Sequence, residues 1–170
     1  MAIPVWQRLL AVLIYLLPWS DAIGFGLPRG LLNGLLPQGG LFMEFPILRL
    51  LIIPAEPFLY LENGIPFGGL LLFFVLFLAV VRNPNVPYFL RFNTLQALLI
   101  DIALILITYL FIPLSRGLAG FSDGLVMRTL GSTVLLAVLA MVIFALIECL
   151  RGREPDLPGI SQAVRMQQLY

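Results

Sequence analysis

Asp101 stands inside a run of leucines and isoleucines, about two helical turns from where that run begins. Translocon scales put an aspartate at the centre of a membrane helix at about +2.5 to +3.5 kcal/mol, so a carboxyl there needs a reason. Counted from Asn93 at the usual ~100° per residue, Thr94, Ala97, Asp101 and Thr108 fall within one quadrant of a helix, with Gln96 on its flank. A stripe of polar and small residues on a Leu/Ile helix turns toward other helices or a water-filled cavity, away from lipid. Asp101 is then part of a polar path or a gating contact, or else an interhelical hydrogen-bond anchor. The anchor is the plainer reading, because one carboxylate with no second ionisable residue at its depth makes a poor proton relay. Glu148 is the other acid inside the strongly apolar runs, and the sequence does not pair the two.

Other chemistry is scarce. There is no histidine, which removes the commonest metal ligand and most general-base catalysis. No phosphate-cradling glycine loop precedes a lysine, and no Cys/His cluster exists. The single Cys149 cannot form an internal disulfide and reads as a small apolar residue at a helix end. No catalytic residue, cofactor or metal is expected, and the chain does not read as an enzyme. A net charge of +1 supplies no basic face for nucleic acid. All of the basic residues are arginine, for which there is no physical account.

The elements that must position the stripe are set by composition. Of 170 residues, 61% are hydrophobic and 11% charged, and the mean hydropathy is +1.03. Too few polar residues remain to cover such a chain in water. The expected fold is all-α, an integral membrane bundle forming one domain over 1–170. Four apolar runs approach the ~20 residues needed to cross hydrocarbon. They cover about 6–25, 65–81, 95–114 and 130–150. Pro18 should kink the first. Between the first two, residues 41–60 are apolar but carry Pro46, Pro54 and Pro57 beside Glu44, Arg49 and Glu56. A short interfacial or re-entrant helix suits that stretch better than a fifth span.

In the fourth run Thr129, Thr133, Ala137, Ala140 and Glu148 share about a third of the circumference. Packing of the third and fourth spans stripe to stripe is the expectation. Gly64 and Gly68 could seat a neighbour. The same spacing in Gly26, Gly30, Gly34 and in Gly120-Phe121-Ser122-Asp123-Gly124 reads as turns.

Arginines set the orientation. With four spans, Arg8, Arg82, Arg91, Arg151, Arg153 and Arg165 share one side, against Arg29, Arg49, Arg116 and Arg128 on the other. Both termini are therefore expected on the cytoplasmic side or its organellar equivalent. Arg82 and Arg91 would snorkel to headgroups, and Asn83-Pro84-Asn85 is a turn. A soluble tail over 151–170 carries a short helix with Ser161 as its expected N-cap. The N-terminus has neither a cleavable signal pattern nor an Arg- and Ser-rich transit segment.

Val80-Val81-Arg82-Asn83, then Arg91-Phe92-Asn93-Thr94-Leu95-Gln96-Ala97 and Asp101-Ile102, resemble the Tic20 family. The likeness extends to Tyr15-Leu16-Leu17-Pro18 and to Leu157-Pro158-Gly159-Ile160-Ser161-Gln162-Ala163-Val164-Arg165-Met166-Gln167. That family consists of four-span proteins of the chloroplast inner envelope and of cyanobacteria. The resemblance implies a component of protein translocation in a plastid inner envelope or a cyanobacterial plasma or thylakoid membrane. Its partners would be the lipid bilayer, other membrane subunits of a translocon or complex, and a second copy of the chain. It implies no catalytic residues. Arg82, Asn83, Arg91, Asn93, Gln96 and Asp101 carry over as motif positions only. The competing expectation is a structural or assembly subunit of a larger membrane complex, for example a photosynthetic one, with a small transporter as a third.

Overall fold

Pro18 shapes the first helix. It has no N–H for the carbonyl of Ile14, four residues back, and its ring crowds that carbonyl. The helix accordingly divides there, into α1 (Val5–Ile14) and α2 (Leu16–Gly24), with Tyr15 at the joint. The structure, a computed structural model, describes residues 3–24, 42, 45–117 and 125–168, with the backbone alone at 24, 63, 112, 114–117, 125–128 and 168. Arg29, Glu44, Asp123 and the glycine repeats around 26–34 and 120–124 lie outside the described residues, as do the side chains of Arg116 and Arg128.

After the first helix come a ten-residue 3-10 helix, Pro46–Ala55, and the short α3 (Glu56–Gly64). Pro54 has no N–H to give the carbonyl of Leu51, three residues back. The indole of Trp19 reaches that carbonyl, Nε1 donating to Leu51 O at 2.8 Å. This stretch is a pair of short helices, as the prolines require. Phe67 then takes a left-handed backbone (φ 59°) to turn the chain into α4 (Gly68–Leu76). At Gly68 a Cβ would lie 2.6 Å from Leu61 O and 2.7 Å from Glu62 O, so glycine alone fits this corner. A π turn, Phe77–Val81, continues α4, with Arg82 N–H bonding Phe77 O at 2.9 Å.

Two long helices follow: α5 (Tyr88–Gly117, 30 residues) and α6 (Leu125–Arg151, 27 residues). Both are long and apolar enough to cross a membrane, over Tyr88–Phe111 and Thr129–Arg151. The run expected over 65–81 is helical only from Gly68 and is shorter than a full span. Among the described residues there is no strand, so the all-α expectation holds at that level. Large apolar side chains point outward along these helices, among them Leu106, Tyr109, Leu110, Leu136 and Phe74. Such a surface suits lipid and not water.

The core is arranged around α1 and α2. These lie between α5 and α6, touching both, while α5 and α6 meet each other only slightly. Stripe-to-stripe packing of the last two spans is therefore not what forms. Gly131, Leu135, Val138, Leu139, Val142, Ala145 and Cys149 are the buried face of α6, whereas Thr129, Thr133, Ala137 and Ala140 face outward. The physical reason is local self-sufficiency. Thr133 Oγ1 donates to Thr129 O within its own helix at 2.8 Å and needs no partner helix.

At one end of the bundle the start of α1 meets the end of α6. Gly152 (φ 72°) ends α6 in a Schellman turn, with Gly152 N–H on Cys149 O and Arg153 N–H on Glu148 O, both at 2.9 Å. Arg8 lies over it, donating to Leu150 O at 3.3 Å and to Ile3 O at 2.8 Å. The tail after α6 packs against the bundle. It folds back as α7 (Ile160–Gln168), and its Val164 is buried with Leu17, Phe92, Leu95 and Leu98.

Candidate functional site

Among the described residues, two polar groupings occupy the interior of this apolar bundle. The first is a clasp at the level of Tyr15. Asn93 and Gln96 are fully buried on α5, one turn apart. Asn93 Nδ2 donates to Phe89 O at 2.7 Å, and its Oδ1 accepts from Cys149 Sγ at 3.1 Å. The single hydroxyl proton of Tyr15 serves Gln96 Oε1 at 2.8 Å, with Asn93 Oδ1 at 3.2 Å on the other side. Gln96 Nε2 donates to Ser161 Oγ at 2.7 Å and Pro155 O at 3.2 Å. Four parts of the chain, α1/α2, α5, α6 and the tail, are thus pinned at one point. Each buried polar atom has a partner, which is what makes the burial tolerable.

Ser161 does not cap its helix as expected. The helix begins one residue earlier, and Ser161 Oγ instead accepts Leu157 N–H at 2.7 Å while donating to Pro155 O at 3.2 Å. Donation from Gln96 Nε2 holds that oxygen at the clasp and away from a capping position.

The second grouping lies further along α5 and is acidic. Asp101 is 4% exposed, and the Asp21 carboxyl of α2 is within hydrogen-bonding reach of it. Glu62, from the end of α3, reaches Asp21 as well, and Ser20 Oγ lies 3.2 Å from Glu62 Oε1. Asp101 Oδ1 is buried with no hydrogen-bond partner. Three carboxyls from three helices thus meet where one alone was expected. The objection that Asp101 lacks a second ionisable residue at its depth falls, because Asp21 and Glu62 supply two. Among the described residues, no three His, Cys, Asp or Glu side chains are arranged to hold a metal ion.

The remaining motif positions have plainer places. Arg82 is exposed at the end of the π turn. Asn83 Oδ1 accepts Asn85 N–H at 3.0 Å, making the tight turn its sequence suggests. Arg91 Nε donates to Val81 O at 3.1 Å, closing the end of the preceding helix. Thr94 and Thr108 each return a hydroxyl to the carbonyl four residues back, at 2.7 and 2.8 Å. Tyr15, Asp21 and Glu62 escaped sequence reasoning. Tyr15 and Asp21 carried a signal, as polar groups within or beside an apolar run, while Glu62 carried none.

Comparison with known proteins gives a consistent result. The family model described as "Chloroplast import apparatus Tic20-like" matches residues 3–164. A Tic20 family protein of Synechocystis sp. is 35% identical over 165 residues, covering 95% of this chain and 92% of its own. Protein TIC 20-v, chloroplastic, of Arabidopsis thaliana is 33% identical, covering 96% and 71%. The Tic20 family protein Ycf60 of Porphyra purpurea is 27% identical, covering 94% and 74%. A match of this extent, carried through the clasp, the carboxyl on α5 and the folded tail, means that the chain belongs to the Tic20 family.

Proposed function

We propose that the protein is a component of protein translocation across an inner or plasma membrane, working with partner subunits and not alone. The observation that carries this reading is the family match across 3–164, whose description names an import apparatus. In this reading four segments cross the bilayer, α1/α2, α4 with its π turn, α5 and α6, while the 3-10 helix and α3 lie at the interface. Thinning of the bilayer beside the short α4 would accommodate its length. Both termini face the cytoplasm or stroma. The meeting of Arg8 with the end of α6, and of Arg91 with the end of the π turn, supports placing those arginines on one side. Outward apolar faces leave room for lipid, further subunits or a second copy.

A second reading, a structural or assembly subunit, is favoured by one observation. Hydrogen bonds of Asn93, Thr94, Gln96 and Thr108 all end within the chain, so the stripe serves packing first. Photo-crosslinkers at the outward positions Leu106 and Tyr109 and at Phe74 separate the two. Translocation predicts adducts with a precursor polypeptide arrested in transit, lost when the precursor is chased across. Adducts with resident subunits alone would overturn it.

A further inference from the structure

The acidic grouping asks for a ligand that the helix packing does not supply. Asp21 and Asp101 lie within hydrogen-bonding reach of each other, and a carboxylate has no hydrogen to donate. Two charged carboxylates at that separation repel strongly in an interior of low dielectric. The orphaned Oδ1 of Asp101 sharpens the point. On a charged carboxylate, a buried oxygen with no donor is far more costly than on a neutral acid, where it is merely an unfilled carbonyl acceptor. Among the described residues, the other ionisable groups on the neighbouring elements are these. On the elements packed there, α2 brings Asp21 and α3 brings Glu62 and the exposed Glu56. The 3-10 helix brings Arg49, whose Nε donates to Phe42 O at 3.3 Å. On α6 the described ionisable groups are Glu148, Cys149 and Arg151, near the level of Asn93 and away from Asp101.

We infer that Asp21 and Asp101 form a proton-binding site inside the bundle, holding one proton between them, with the half-buried Glu62 as the group through which it exchanges with water. One O–H bond forms, on one of the two aspartates, and its hydrogen bond reaches the other. The proton comes from solvent, and the charge of the three-carboxyl grouping falls by one. Because the ligand needs no cavity, the site can be filled while α2, α3 and α5 stay closed around it. The inference is independent of whether a polypeptide passes.

Infrared spectroscopy of the full chain in lipid nanodiscs at neutral pH tests it. The expected result is a C=O stretching band of a protonated carboxyl that moves in heavy water. It should shift on incorporation of aspartate carrying heavy carbon in its side-chain carboxyl, and should not shift with labelled glutamate. It should be lost in Asp101→Asn and retained in Glu148→Gln. Absence of such a band from the wild-type protein would overturn the inference. So would a band that shifts only with labelled glutamate, or one that survives in both Asp101→Asn and Asp21→Asn. The isotope arm uses the wild-type chain and stands even if a variant fails to assemble.

Discussion

Tyr15 donates the hydrogen bond that satisfies Gln96 Oε1. Tyr15→Phe keeps the ring and removes the donor, so it should cost about 1 kcal/mol, the scale of interhelical hydrogen bonds in membranes. Unfolding in mixed micelles of increasing denaturing detergent would measure it, and Cys149→Ser, which keeps a donor to Asn93, should cost less. Glu62 gives a pH dependence. Burial, reinforced by the negative charge of Asp101, raises its carboxyl to about 7. For an acid raised in the folded state, the stabilisation is complete below the unfolded value and is lost as pH rises through the folded one. The thermal midpoint in detergent should therefore fall as pH is raised from about 5 to about 8, and Glu62→Gln should flatten that slope. An unchanged slope in the variant would remove Glu62 as the cause. Asp101 was conspicuous in the sequence because a charge in an apolar run has a price that can be read locally. That Asp21 and Glu62 are its neighbours was not legible, since the three carboxyls lie far apart in the chain and meet only in the folded bundle.

At the scale of elements, two glycines make separable predictions. Gly68→Ala places a methyl against backbone oxygens of Leu61 and Glu62 that cannot yield, so the α3–α4 corner must open. Expression of assembled protein should drop sharply, followed by size-exclusion profile. Gly152→Ala is milder. It asks an L-residue to hold φ 72°, costing about 1 kcal/mol, and pushes aside the Arg8 side chain 3.0 Å away. The same detergent titration should register that loss. The polar face of α5 was legible because polar residues recur at helical spacing among leucines. The outward stripe of α6 was misjudged for an equally physical cause: threonine and alanine have the same pattern whether a helix or lipid covers them. Trp19 on Leu51 O was hidden as well, since the N–H that Pro54 lacks has no sequence signature for what donates in its place.

For the molecule as a whole, the first helix is the wedge that holds the two longest ones in relation to each other. Its contacts span most of the chain, from Arg8 to Leu150 and from Tyr15 to Gln96. That has a consequence for manufacture. Synthesis delivers α1 and α2 first and α6 nearly last, so the wedge enters the membrane long before its slot exists. During that interval Tyr15 and Asp21 have no partners, and the nascent span is a polar-bearing helix alone in lipid, at a cost of a few kcal/mol. Final packing cannot proceed helix by helix from the N-terminus and must wait for the last span to arrive, the pattern expected of a fold dominated by distant contacts. A chaperone or insertase that shelters the first helix until release of the chain would meet that need.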